Sequence, residues 1–239
     1  MKAGLALKIQ RELLALGNIE KAKSIQRFFK TAPGEYGEND RFLGIGVPDI
    51  RKLAQKYFKE ANYSDIKVLL DSKWHEERFL ALIIITQKFT KKDNISGKDE
   101  LVQFYLANLK AVNNWDLVDV SCYKILGSYL LQIDDFSILF DFAKSSDLWK
   151  RRISIVTSYA FIRKSIFQPT IDIANILLTD KEDLIHKAVG WMLREVGKKS
   201  PALLIAFLDK NALIMPRTML RYSIEKFNQS QKKHYLLLK

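Results

Sequence analysis

The sequence predicts an all-α fold, a solenoid (superhelix) of stacked helix pairs, and three observations support this. Apolar residues recur at helical spacing along most of the chain, as in residues 50–57 and 79–89. No Asn-Gly turn lies between alternating apolar runs, so no hairpin is expected. A charged position recurs after 41, 33, 35 and 34 residues, at Arg78, Asp119, Arg152, Lys187 and Arg221, and the first four lie near a tryptophan at or near a predicted helix start. Such a period is typical of helix pairs that bury their apolar faces only against their neighbours.

Length and composition indicate one helical domain spanning residues 1–239. The chain has 239 residues, of which 48% are hydrophobic, enough for one large core or a repeat array. Its one cysteine, Cys122, lies in an apolar run and is expected to be buried in a reducing compartment. The N-terminal segment is amphipathic and no apolar run is long enough to span a bilayer, which predicts a cytoplasmic protein.

Helix starts are predicted where polar residues precede apolar runs. The candidate caps are Ser96 with Asp99, Thr179 with Glu182, Asn113 or Asn114, and Ser145 or Ser146. Two longer connections are predicted at residues 31–48, which are rich in Gly and Pro, and at residues 91–98, which are polar and basic.

The charge balance favours a polyanionic partner, with nucleic acid as the first candidate. Thirty-nine Lys and Arg against 27 Asp and Glu give a net charge of +12. A solvated, lysine-rich surface is the alternative. Three scattered histidines and one cysteine do not form a metal-ligand set, so we expect no metal and no cofactor.

Trp115 and Asp119 form the first candidate site. They stand four residues apart and share one face of a helix that is predicted to start at an asparagine cap. A carboxylate beside an aromatic wall can stabilise a cationic transition state. The alternative is a core tryptophan and an acid that pairs with an arginine of a neighbouring repeat. Asp116, in the same first turn, is expected to be an exposed helix-start acid.

Trp191 lies between two cations on one helix face. Lys187, Trp191 and Arg194 fall at i, i+4 and i+7, a pattern better suited to a surface that meets phosphates and bases than to a core. An amphipathic tryptophan with neighbours that extend towards solvent is the alternative.

Two arginines at a predicted helix start are further candidates for binding DNA. Arg151 and Arg152 follow Trp149, and helix N-termini already attract phosphate. We expect Arg152 to bind a phosphate, and a structural ion pair with Asp119 or Glu195 is the alternative. The segment from Trp74 to Arg78 is interpreted instead as a solvated helix start.

Four segments together resemble the AlkD-type DNA alkylation repair glycosylases, a family built of HEAT-like helical repeats. They are GEYGENDRFLGIGVPDIRKLA at 34–54, NNWDLVD at 113–119, WKRR at 149–152 and HKAVGWMLRE at 186–195. Their order and spacing match along nearly the whole chain. The resemblance implies a right-handed solenoid of five to seven HEAT-like repeats with a basic concave face that holds duplex DNA.

By the same resemblance, the protein would remove cationic N3- and N7-alkylated purines from duplex DNA without flipping the base. Asp119 matches the catalytic aspartate. Trp115 and Trp191 match the aromatic residues that pack against the lesion, and Arg152 matches the arginine that holds DNA beside it. Lys187, Arg194 and Arg151 are expected to bind phosphates as well. We expect a monomer that needs no metal.

The loop at residues 33–40 departs from the best-studied glycosylases of this family and indicates a separate branch. Two other functions therefore stay open. One is a non-catalytic binder of damaged or branched DNA, because related proteins bind such DNA without excising a base. The other is a HEAT-type protein-interaction scaffold, which would bind DNA no better than any protein of this charge.

Overall fold

The computed structural model describes residues 4–38 and 40–238, and its regular structure is helical. Residues 1–3, Asn39 and Lys239 lie outside the described residues, so those positions of the predicted domain and of the 31–48 loop are not covered. Within the described ranges the only β-type pairing is an isolated bridge between Arg41 and Trp74. The predicted all-α class is confirmed.

The chain divides into two compact units, and the division falls between Ser121 and Cys122. The first unit holds α1 (Leu5–Ala15), α2 (Ile19–Phe28), α3 (Val47–Tyr57), α4 (Tyr63–Leu70), α5 (His75–Lys91), α6 (Ile95–Ala107), a 3₁₀ turn (Leu109–Ala111) and most of α7 (Trp115–Cys122). The single repeat domain over residues 1–239 stays a prediction.

The second unit begins with a π-helical stretch (Tyr123–Gly127). It continues with α8 (Ser128–Ile133), α9 (Ser137–Ala143), α10 (Leu148–Thr157), α11 (Tyr159–Arg163), α12 (Gln168–Ile176), α13 (Asp183–Lys199), α14 (Pro201–Asn211), α15 (Arg217–Ser223) and α16 (Gln229–Leu237). Pro169 and Pro201 occupy the first turns of α12 and α14, where the missing N–H costs nothing.

Helix α5 is the centre of the first unit. It packs against α3, α4 and α6. Its residues from Phe79 to Thr86 are all buried, on every side of the helix. A helix that is apolar all round must lie inside the core, so α5 is the central element against which α1, α3, α4 and α6 pack.

Packing in the second unit follows the repeat predicted from the sequence. Helix α13 packs against both α10 and α15, and the three helices begin at residues 148, 183 and 217, which are 35 and 34 residues apart. The contact between α13 and α15 is close: a Cβ atom added at Gly190 would lie 2.6 Å from the carbonyl oxygen of Met219. Only glycine allows the two helices to approach this far.

Helix starts are capped by residues that differ in part from those predicted. Asn94 caps α6 instead of Ser96, and Asp147 caps α10 instead of Ser145 or Ser146. Helix α13 begins after Glu182 without a side-chain cap, so the prediction of Thr179 is also wrong. In each case several polar residues precede the apolar run, and the pattern does not say which of them has the extended backbone that a cap needs.

The predicted connection at residues 91–98 is shorter than expected. Helix α5 continues to Lys91 and α6 already begins at Ile95, because Asn94 accepts a hydrogen bond from the N–H of Gly97 at 2.7 Å. Cys122 is buried, as predicted. In the described part of the chain no helix is both long and apolar enough to cross a membrane.

Candidate functional site

Trp115 and Asp119 lie in the first turns of α7, on one face of the helix and one turn apart. Both side chains are partly buried. Asn114, one of the two predicted caps, directly precedes the helix, and its side-chain oxygen accepts a hydrogen bond from the N–H of Trp115 at 2.8 Å. The start of α7 therefore places an indole ring and a carboxylate side by side.

Two phenylalanines at the end of α2 extend the aromatic surface around Trp115. Phe29 stacks on Trp115 with 5.2 Å between ring centroids and 10° between ring planes. Phe28 meets Trp115 edge-on at 5.9 Å and is 68% exposed. An exposed aromatic ring held against a second one forms a platform on which a planar ring or a sugar could pack.

A buried network of charges lies behind this platform. The carboxylate of Asp40, 5% exposed, accepts hydrogen bonds from Arg78, from Nδ1 of His75 at 3.0 Å and from Nδ2 of Asn114 at 2.7 Å. Nε2 of His75 is 2.8 Å from Oδ2 of Asp116. Two acids and two bases thus balance in a site with little water, and they join the 31–48 loop, the start of α5 and the start of α7.

The environment of His75 makes it a cation at neutral pH. Burial by itself would lower its pKa, but the charge and hydrogen bond of Asp116, together with those of Asp40, outweigh burial and raise the pKa to about 9. For Asp40 burial likewise opposes ionisation. The hydrogen bond from His75 and the charge of Arg78 outweigh it, so the pKa of Asp40 is lowered. Both imidazole nitrogens therefore carry protons and can donate to the two carboxylates.

Two predictions for this region are wrong. The segment from Glu76 to Arg78 is buried and is not a solvated helix start. Asp116 is not an exposed helix-start acid, since its side chain is 16% exposed and pairs with His75. Acids in the first turn of a helix look alike in a sequence whether they face water or a buried base. The sequence also does not show that His75 has Asp40 as a partner, because Asp40 lies in a loop 35 residues earlier.

Glu76 fixes the backbone that supports α2. Its carboxylate accepts hydrogen bonds from three consecutive backbone N–H groups, those of Leu43 at 2.9 Å, Gly44 at 2.8 Å and Ile45 at 3.3 Å. The carbonyl of Leu43 accepts in turn from the N–H of Asn18, which caps α2. Gly44 has φ +80° and a Cβ there would lie 2.1 Å from the carbonyl oxygen of Asn18. The position of α2, and with it Phe28, depends on this close contact.

In the second unit, Trp191 belongs to a row of three aromatic side chains. Its ring lies 6.0 Å from that of Tyr159, which lies 5.3 Å from that of Tyr123. All three are partly buried. On the same helix, one turn before Trp191, Lys187 pairs with Asp183 at 2.7 Å and its side chain is 42% exposed. Trp191 and Lys187 therefore share a face of α13, as predicted.

The three arginines proposed to bind DNA all lie in the second unit and contact protein groups there. Arg151 pairs with Asp180 at 2.6 Å and donates to the carbonyls of Ser145 and Ser146. Arg152 is 5% exposed and donates to the carbonyl of Leu184 at 2.7 Å. Arg194 pairs with Glu225 and lies 3.6 Å from Glu195. Lys187 is thus the most exposed of the four proposed cations.

In the part of the chain that the structure describes, no group of three or more His, Cys, Asp or Glu side chains has an arrangement that could hold a metal ion.

Family membership follows from a comparison of the whole sequence. The sequence model of a family described as "DNA alkylation repair enzyme" matches residues 9–227. The chain belongs to this family. No curated protein matches the sequence.

Solved structures of similar fold include two with repair-related names. One, described as a predicted DNA alkylation repair enzyme from Enterococcus faecalis, has a TM-score of 0.73 and 21% identity over 89% of this chain and 97% of that one. AlkD2 from Streptococcus mutans has a TM-score of 0.58 and 18% identity over 88% and 98% of the two chains. At such identities the likeness shows the fold that this family member shares with them.

The sequence did not reveal the residues that extend and support the candidate site in this member of the DNA alkylation repair enzyme family. Phe28, Glu76 and the Asp40–His75–Asp116 chain were not singled out as functional. The only signal for Phe28 was an aromatic pair between two cations, Arg27-Phe-Phe-Lys30, at the end of an amphipathic helix. His75 and Glu76 gave no signal of their own, because their role depends on where the 40–45 segment folds.

Proposed function

We propose that the protein hydrolyses the N-glycosidic bond of cationic N3- and N7-alkylated purines in duplex DNA, without flipping the base. Asp119 is the catalytic carboxylate, and Trp115 and Trp191 line the lesion. Arg152, Lys187, Arg194 and Arg151 bind phosphates. The observation that carries the proposal is the partly buried Asp119 one turn from Trp115, on a helix start held by a buried charge network in a chain of net charge +12.

The chemistry needs one acid because the substrate already carries a positive charge. When the bond between C1′ and the purine nitrogen breaks, its electron pair moves into the alkylated ring and neutralises it. The base leaves without a proton from the enzyme, and the sugar becomes an oxocarbenium-like cation. Asp119 stabilises that cation and orients a water molecule that adds to C1′ and releases a proton. Ordinary glycoside hydrolysis uses two carboxylates because its leaving group must be protonated.

Aromatic side chains suit this transition state. The π face of an indole ring attracts a cation, and its apolar surface packs against deoxyribose. Trp115 is held by the stacked ring of Phe29, so its position costs little reorganisation when DNA binds. Phe28 adds an exposed edge beside it. A lesion that stays in the duplex can be recognised on such an open platform, whereas a flipped base would need an enclosed pocket.

Binding to DNA depends mainly on phosphate contacts and therefore on salt. A protein that neutralises several phosphates releases counterions, and its affinity falls steeply as salt rises. We propose that the protein acts as a monomer and that its substrate is DNA in the cytoplasm.

The test is base release from duplex DNA that contains 7-methylguanine, with binding to the same duplex measured in parallel. The wild type is expected to release the base, and Asp119→Asn to lose release while it keeps binding. Asp141→Asn, on exposed residue 141 of α9, makes the same charge change elsewhere and should behave as wild type. Tight binding without release by the wild type would favour the non-catalytic DNA binder. Weak binding that does not distinguish lesion DNA from other polyanions would favour the protein-interaction scaffold.

A further inference from the structure

A cavity of about 420 Å³ opens in the first unit at the end of α5 opposite the charge network. It lies among the end of α3, the start of α4, the end of α5 and helix α6. Lys88 is 13 residues beyond His75 on α5, which places the cavity about 20 Å along the helix from the network. It is therefore separate from the surface around Trp115.

Four lysines line this cavity, and one acid accompanies them. The cations are Lys59, Lys88, Lys91 and Lys92, and the acid is Glu100. Among the described residues none of the four lysines forms an ion pair, whereas Lys52, Lys56 and Lys67 of the same unit each pair with an acid. The cavity therefore concentrates positive charge that the protein does not neutralise, the electrostatic condition for an anion site.

Lys88 is the lysine whose charged form is destabilised by burial and by this clustering of positive charge. It is partly buried, and burial followed by the charge of Lys92 lowers its pKa. The other titratable groups that face it come from every neighbouring element: Lys59 after α3, Tyr63 on α4, Lys91 at the end of α5 and Glu100 on α6. The charge of a bound anion would compensate the free-energy cost of burying charged Lys88 and of its repulsion from Lys92.

The cavity has an aromatic wall, and its volume exceeds that of a phosphate ion. Tyr63 is 39% exposed and its ring lies 4.8 Å from that of Phe104. Burial and then the charge of Glu100 raise the pKa of Tyr63, so its hydroxyl stays protonated and can donate a hydrogen bond. Small-molecule sites commonly enclose about 300 to 1,000 Å³, and a bare phosphate would leave most of this cavity empty.

We propose that this cavity is a second ligand site, which binds a nucleotide with its phosphate on Lys88 and Lys92 and its base against Tyr63. The same chemistry has two sources, a free nucleoside monophosphate and the phosphorylated end of a nucleic acid strand. The assignment depends on the cavity, its unpaired lysines and its aromatic wall, and it does not depend on the proposed glycosylase activity.

The experiment measures binding of three probes by calorimetry: deoxyadenosine 5′-monophosphate, a short single-stranded oligonucleotide with a 5′-phosphate, and the same oligonucleotide with a 5′-hydroxyl. The double variant Lys88→Gln/Lys92→Gln is compared with wild type and with Lys181→Gln/Lys210→Gln. The control variant removes two exposed lysines of the second unit and so makes the same change in net charge. Circular dichroism verifies that all three proteins are folded.

The cavity variant is expected to bind the phosphorylated probe at least about tenfold more weakly, since charge-assisted hydrogen bonds are lost, while the control binds as wild type. Binding of the free nucleotide identifies that source. A preference for the 5′-phosphate over the 5′-hydroxyl, without binding of the free nucleotide, identifies the strand end. The proposal is overturned if no probe shows phosphate-dependent binding, or if both variants lose affinity equally. Base release from lesion DNA, measured on the same variants, is expected to be unchanged.

Discussion

The start of α7, which carries Trp115, and the first half of α13, which carries Lys187 and Trp191, are fixed by different forces. At α7, Asp116 and Asn114 are bonded to His75 and Asp40, which come from elements 41 and 74 residues away and are buried. At α13, no side chain caps the helix, and Lys187 pairs with Asp183 one turn away, with the two side chains 42% and 57% exposed.

The difference shows that the same sequence pattern can contribute very differently to the free energy of unfolding. A tryptophan with a charged residue one helical turn away occurs in both places. In the buried network each charge depends on the others, and loss of one leaves uncompensated charge where water cannot reach. An exposed pair within one helix turn contributes little, because water solvates either partner alone. For the proposed reaction, this makes α7 a rigid support for the carboxylate, whereas Lys187 on α13 can leave its ion pair at little cost.

The largest expected effect is from removal of the central acid of the network. Asp40→Ala leaves His75 and Arg78 buried without their shared acceptor, and we expect a loss of roughly 3–5 kcal/mol in the free energy of unfolding. Urea unfolding followed by circular dichroism measures it. The matched control is Asp183→Ala at α13, with an expected loss below about 1 kcal/mol. Equal losses in the two variants would show that the two helix starts do not differ as described.

A second test uses pH. The pKa of His75 is raised to about 9 from 6.5, so the stability it contributes is present below pH 6.5 and is lost as pH rises through about 9. The loss is at most about 3 kcal/mol, because one pKa unit corresponds to about 1.4 kcal/mol. Unfolding measured from pH 6 to 10 should show this decline in the wild type. His75→Gln should be less stable at pH 6 and should lack the decline, and an unchanged slope in that variant would contradict the role of His75.

The smallest expected effect on stability is at the exposed pair of α13. Lys187→Gln should change the free energy of unfolding by less than about 1 kcal/mol. Its effect should appear in DNA binding, where loss of one phosphate contact reduces the slope of log affinity against log salt by about 1. Lys210→Gln serves as the control with an unchanged slope. If Lys187→Gln leaves the slope unchanged as well, Lys187 is not a phosphate contact.

Much of the fold could be predicted from the sequence because helix formation is local. Apolar spacing and the recurrence near 35 residues predicted the helix pairs, and the packing of α10, α13 and α15 confirms them in the second unit. Caps were predicted less well. Asn114 was one of two candidates and holds the N–H of Trp115, whereas Asn94 and Asp147 were missed among neighbouring polar residues.

The candidate site could be predicted only where its geometry is set within one helix. Trp115 and Asp119 share a face of α7, and Lys187 and Trp191 share a face of α13, because four residues make about one turn. The arginines were harder to interpret: Arg151 and Arg194 pair with Asp180 and Glu225, which the linear order does not place beside them.

The sequence by itself determined the helices, their repeat and the faces on which the proposed catalytic side chains lie, since these follow from local periodicity. Only the tertiary structure decided which charges are buried. Asp40, His75 and Asp116 are each ordinary polar residues of a loop or a helix start, and they become a network because folding brings positions 35 and 41 residues apart within hydrogen-bonding distance. Burial is a property of the neighbours that a residue acquires, so helix periodicity alone could not reveal it.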